Sequence, residues 1–87
     1  MSTASVTAIK TKILLNETEK VKKFVKKLES QPFDADLSSG RYIVDGKSLL
    51  GIFSLNLSVP IELTIHADPQ TCDEFLNWLG TEDMLVK

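Results

Sequence analysis

Cysteine, histidine and long apolar runs are the scarcities of this 87-residue chain, and each removes a class of function. Cys72 is alone, so it cannot close an internal disulfide, and with no CxxC pair or Cys/His cluster no metal site is read. A reducing, cytoplasmic setting is the simplest expectation. No run is apolar for long enough to cross a bilayer, and no basic-then-apolar leader with a cleavage site is read, so a membrane partner is not expected. The formal net charge of −2 lacks the basic excess that nucleic-acid binders carry, which argues against that partner. Nothing forms a Ser/His/Asp or Cys/His constellation, and no cofactor is expected. The acid pairs Asp73–Glu74 and Glu82–Asp83 read as solvated helix ends. What is present is ordinary for a globular chain, 43% hydrophobic and 25% charged, so disorder is not the default and residues 1–87 read as one domain.

Met1 to Ala4 is a polar start expected to fray. From Ser5 to Leu14 the pattern has period two, with Ile9, Thr11 and Ile13 on one face and Ala8, Lys10 and Lys12 on the other, which predicts a strand. Period 3.6 follows. Asn16 stands as a helix cap with Glu19 three residues on, and Val21, Phe24, Val25 and Leu28 make one apolar stripe over Glu17 to Glu29. Gln31-Pro32 ends that helix near Ser30, because the residue before proline avoids the helical region. Phe33 to Ser38 and Tyr42 to Val44 read as short strands joined at Ser39-Gly40, with Asp45-Gly46 as a second turn. Ile61, Leu63 and Ile65 alternate with Glu62, Thr64 and His66 in a half-buried strand. Asp68-Pro69 opens a last helix with the inward stripe Cys72, Phe75, Leu76 and Leu79, and Gly80 is the expected stop. Met84 to Val86 either pack back or stay loose. The order strand, helix, strand, strand, short helix, strand, helix predicts an α+β open-faced sandwich, a four-stranded antiparallel sheet with helices on one face.

The stretch Gly46 to Leu57, GKSLLGIFSLNL, is the candidate functional element. Ser48 is a good N-cap for the apolar run that follows, because its hydroxyl can accept from a free amide of the first turn. The segment is too short to bury Leu49, Leu50, Ile52, Phe53, Leu55 and Leu57 against one core. Leu50 and Phe53, at i and i+3, are therefore expected to face outward. The reading is a docking helix with a modifiable serine at its positive end. A phosphate there would meet free amides and the positive end of the dipole, worth roughly 0.3–1 kcal/mol when exposed, and Lys47 beside Ser48 adds charge of the right sign.

Over Gly46 to Ile65, GKSLLGIFSLNLSVPIELTI, the sequence resembles the HPr proteins of the bacterial phosphotransferase system. It follows their K-S-I-M-G-[ILV]-M-S-L…E-I-T-I pattern without a gap. Phe33-Asp34-Ala35-Asp36-Leu37 resembles the start of the family's second strand, and the hairpin between the two segments is shorter here. The resemblance implies the HPr-like sandwich and two functional features. One is a phosphoryl-carrying histidine in a G-x-H-A-R-P motif at the start of the first helix. The stretch here is Leu14-Leu15-Asn16-Glu17-Thr18-Glu19-Lys20, with no histidine, arginine or proline and with carboxylates that repel phosphate, so histidine phosphocarrier activity is expected to be absent. The other feature is a serine at the start of the second helix, phosphorylated by a dedicated kinase in Gram-positive members; that position matches Ser48. The family also docks on enzymes and regulators through the apolar residues of that helix, where Leu49, Leu50 and Phe53 fall beside Lys47.

The expectation is a regulatory or adaptor module, switched at Ser48, whose partner is a phosphotransferase enzyme, a serine kinase or a transcriptional regulator. Against it stand a cap with no modification at Ser48, core packing or a homodimer contact for Leu50 and Phe53, and a phosphocarrier using His66 or a carboxylate. The state expected is a monomer or weak homodimer. Lys20, Lys22, Lys23, Lys26 and Lys27 give the first helix a basic outer surface. It reads as a solvated face with pairs such as Glu19–Lys23, and Lys20, Lys23 and Lys27 are the residues that an acidic protein surface would meet. His66 reads as a half-exposed residue beside Glu62, Cys72 as a buried inert thiol, and Trp78 as a rim or surface contact.

Overall fold

The computed structural model describes residues 7–86. The alternation read along the first and last strands holds them together as neighbours: β1, Thr7–Ile13, pairs antiparallel with β4, Ile61–Ala67, from Thr7 opposite Ala67 to Ile13 opposite Ile61. On its other side β4 pairs with β2, Asp34–Ser39, and β2 pairs with β3, Tyr42–Asp45. The sheet is therefore four-stranded and antiparallel throughout, in the order β1-β4-β2-β3. Three helices complete it: α1, Thr18–Glu29, α2, Leu49–Phe53, and α3, Pro69–Thr81. The architecture is the α+β open-faced sandwich of order βαββαβα.

One face of the sheet carries Ile13, Ala35, Leu37, Ile61, Leu63 and Ile65, all buried under Val21, Phe24 and Leu28 of α1 and Cys72, Phe75 and Leu79 of α3. Phe75 meets Phe24 and Phe33 edge-on, with ring centroids 6.1 and 5.5 Å away, a favoured aromatic geometry. The opposite sheet face stays polar, with Lys10, Thr64, Asp36 and Asp45 in register across the four strands. No polar or charged residue lies in the core among the described residues.

Three local expectations are corrected. Asn16 does not cap α1: the N-cap is Glu17, extended at φ −134°, and no side chain accepts there. Leu15 is buried and holds the chain against the core, so the helix starts after Asn16 has passed into solvent. The hairpin turn is Gly40-Arg41, with β2 reaching Ser39 and β3 reaching Asp45. Gly40 at φ +61° takes the left-handed position that begins the tight two-residue turn. Gly80 does not end α3. The helix runs to Thr81 and closes at Asp83, φ 59°, where Asp83 N donates to Gly80 O (3.2 Å) and Met84 N to Leu79 O (2.9 Å). That pair of bonds is a Schellman ending, and its usual apolar contact is present as the buried Leu79 and Met84.

The question left open at the tail is resolved: it packs back. Leu14 N donates to Met84 O (2.8 Å), Val86 N donates to Lys12 O (3.1 Å), and Leu85 bridges to Ile13. The readings made for Met1 to Ala4 and for Ser5 and Val6 lie outside the described residues.

Candidate functional site

Asp45 begins the site. Its Oδ1 accepts from Lys47 N (2.9 Å) and its carbonyl accepts from Ser48 N (3.0 Å), which turns the chain tightly out of β3 and sets Ser48 at the mouth of α2. Ser48 is extended, φ −97° and ψ 101°, and its Oγ accepts from Gly51 N at 3.1 Å. That is the N-cap geometry the sequence predicts. Gly51 serves a close approach. A Cβ there would lie 3.2 Å from the Val44 Cβ and 2.9 Å from the Ser48 Oγ, so a side chain would push α2 off β3 and disturb the cap together.

The helix itself is shorter than Gly46 to Leu57. It stops at Phe53, where Ser54 N donates to Gly51 O (3.1 Å) and Leu55 N to Ile52 O (3.0 Å), i to i+3 bonds that tighten the last turn. Asn56 Oδ1 then accepts from Ser58 N (3.2 Å) and from the Ser58 hydroxyl (2.6 Å), an Asx turn that competes with continued helix. In so short a helix a single side chain, Ile52, is fully buried, with Leu55 anchoring the exit. Leu50 precedes Ile52 by two residues, about 200° around the axis, and is 85% exposed. Phe53 and Leu49 flank it at 41% and 37%. These three form one apolar surface on α2, an exposure that core packing does not explain.

Lys47 is drawn away from that surface. Its Nζ lies 3.6 Å from Asp34 Oδ1, an open pair of little energetic weight, and this direction does not serve a phosphate on Ser48. Lys20, Lys23 and Lys27 gather elsewhere, at the end of α3. Lys20 Nζ donates to Asp83 O (3.1 Å), Lys23 Nζ pairs with Glu82 Oε1 (3.2 Å), and Lys27 Nζ sits 5.7 Å above the Trp78 ring. Lys23 thus pairs with Glu82, and Glu19 pairs with Lys22 at 3.9 Å, not with Lys23 as the i, i+4 spacing suggested. These contacts bind α1 to α3. Trp78 is half-buried against Phe75 and floors a groove of about 410 Å³ rimmed by Lys23, Lys26 and Lys27.

His66 departs from expectation in its partner. Its Nε2 lies 3.0 Å from Asp36 Oδ2 across the β2–β4 ladder, while Glu62 accepts from Ser38 at 3.5 Å. The hollow beside His66 is lined by Asp34 and Asp68 as well, acidic surroundings that disfavour a phosphoryl group. Asp68 caps α3, accepting from Thr71 N (3.1 Å) and the Thr71 hydroxyl (2.6 Å). The Thr71 hydroxyl, then the Thr71 amide, hold its carboxyl below the usual carboxylate range. Cys72 is buried, as its place on the stripe suggested, and burial pushes its thiol up, away from the reactive thiolate. Among the described residues no group of His, Cys, Asp and Glu could hold a metal ion, and no helix is long and apolar enough to cross a membrane.

Two exposed apolar residues had no place in the sequence reading: Tyr42 and Ile43, at 70% and 71%. A three-residue alternation is too short to say which face is wet. Tyr42 also lines a groove of about 570 Å³ with Arg41, Ser54, Leu55 and Asn56, beside the exit of α2. No protein-family model matches the chain, and no curated protein matches its sequence.

Proposed function

We propose that this protein is an HPr-like adaptor that binds a protein partner through Leu49, Leu50 and Phe53 of α2 and does not carry phosphate on histidine. The observation that carries the reading is Leu50, 85% exposed in the first turn of a helix whose cap, approach and exit are each held by specific bonds. An exposed leucine on a fixed element gives a partner a preorganised anchor. The resemblance over Gly46 to Ile65 supports the same surface, and the acidic residues Glu17 and Glu19 at the start of α1 support the loss of histidine chemistry. Ser48 is proposed as the switch. A phosphate on its Oγ takes the place of a neutral cap acceptor at the positive helix end and adds charge next to Leu49 and Leu50.

The test is incubation with an HPr-directed serine kinase and ATP, read by intact mass beside Ser48→Ala. One added phosphate in the wild type and none in the variant is expected; an unchanged wild-type mass removes the switch. Incubation with phosphoenolpyruvate and the upstream phosphotransferase enzyme is expected to leave the chain unmodified. An acid-labile phosphate lost in His66→Ala would instead establish a phosphocarrier.

A further inference from the structure

Between α1 and α3 runs the groove floored by Trp78, to which α2 contributes no residue. From α1 it takes Lys23, Lys26, Lys27 and the cap residue Ser30, at i, i+3, i+4 and i+7, so they share one face of that helix. From α3 it takes Trp78 and Glu82, one turn apart. Lys23 to Ser30 covers about 10 Å of helix axis, the reach of about three residues of extended chain.

The rim carries more positive charge than the molecule uses. Five of the ten lysines and arginines fall between Lys20 and Lys27, in a chain whose net charge is −2, so this face opposes the sign of the rest. Glu82 neutralises Lys23 at 3.2 Å, and Lys20 is held by the Asp83 carbonyl. Lys26 has no ion pair among the described residues, and Lys27 has the Trp78 ring alone. The negative end of the helix dipole does not account for these two. The Lys27 carbonyl accepts from the Ser30 hydroxyl (2.6 Å) and Ser30 N (3.2 Å), and the Leu28 carbonyl accepts from Gln31 N (3.0 Å). The carbonyl end of α1 is thus met without a lysine ammonium. Trp78 lies against Phe75, with ring centroids 5.6 Å apart, so the floor between the cations is apolar and fixed.

We propose that this groove binds a short acidic segment of a partner protein, with one apolar side chain over Trp78 between carboxylates that meet Lys26 and Lys27. Charge selects the acid, the indole selects the apolar residue, and the length of the groove limits the contact to about three residues. A nucleic-acid strand fits less well. It needs an open ring face on which to stack a base, and the Lys27 ammonium stands over this ring; Glu82 also repels a continuous phosphate backbone.

Trp78 is the only tryptophan, so its emission reports the groove directly. The wild type is titrated with the capped peptides DDLDD and DDSDD and with a short oligothymidylate, and Lys26→Glu and Lys10→Glu are titrated with DDLDD. DDLDD is expected to give a saturable blue shift in the wild type. DDSDD is expected to bind roughly tenfold more weakly, for want of the leucine's burial. Lys26→Glu is expected to weaken DDLDD about fivefold. Its side chain makes no hydrogen bond or ion pair among the described residues, so the fold is kept. Lys10→Glu makes the same change of net charge on the polar sheet face and is expected to stay within about twofold of the wild type. No shift with DDLDD, equal affinity for the two peptides, equal losses in the two lysine variants, or a tighter complex with the oligothymidylate overturns the proposal.

Discussion

A single hydroxyl fixes where α2 begins. Ser48→Ala leaves the Gly51 amide without its acceptor 3.1 Å away, and the stability lost is expected to be about 1 kcal/mol in urea unfolding, with an unchanged m-value. Asp68 caps α3 by the same logic but carries charge. Its carboxyl is held down by Thr71, so the stability it contributes is present above its unfolded value and is lost as pH falls through the folded one. The gap in unfolding free energy between wild type and Asp68→Asn is therefore expected to narrow as pH falls from about 5 to about 2. A gap that stays constant across that range would show that the charge contributes nothing. Both caps were legible in the sequence, because a serine or aspartate before an apolar period does one local job. Asn16 looked equally good, yet the buried Leu15 beside it decides the chain path and moves the helix start to Thr18. Tertiary burial overrode a local preference there.

Within α2, neighbouring residues are asked for opposite things. Ile52 is fully buried, and Ile52→Ala is expected to cost about 2–5 kcal/mol. Leu50→Asp, two residues earlier on the open side, is expected to change stability by no more than about 0.5 kcal/mol while abolishing partner binding. Thermal or chemical unfolding of the two variants side by side checks the contrast. Equal losses would mean that Leu50 packs in solution. That some apolar side chains of the stretch must face out followed from counting six of them on a short segment. The helix length did not follow, because the Asx turn at Asn56 and the i to i+3 bonds at Ser54 and Leu55 are set by how the chain reaches β4. The end of α3 shows the same limit: Gly80 carried the usual stop signal, but burial of Leu79 and Met84 places the left-handed residue at Asp83. Charge pairs were the least legible. Lys23 finds Glu82 and His66 finds Asp36, partners far along the chain that no helical spacing reveals.

For the whole molecule, the period-two and period-3.6 stretches carried the fold: four strands, three helices and nearly all of the core can be read from them. Strand order cannot, because Ile61 to Ala67 has the same alternation whether it lies at the centre or at an edge, and only the packed sheet puts it between β1 and β2. That placement matters for function. It leaves β3 as the outer strand under α2, so the exposed Leu50 and the open strand edge occupy the same end of the sheet. The first helix, by contrast, joins the scaffold through its buried stripe Val21, Phe24, Val25 and Leu28, and its lysines meet the end of α3.

The central claim is that partners meet α2. An amide-resolved titration of the isotopically labelled protein with an HPr-directed serine kinase, without ATP, tests it most directly. The account predicts shift changes concentrated from Lys47 to Ser54 in the wild type and their loss in Leu50→Asp. Changes centred instead on Asp36 and His66, or a Leu50→Asp variant that titrates as the wild type does, would contradict it.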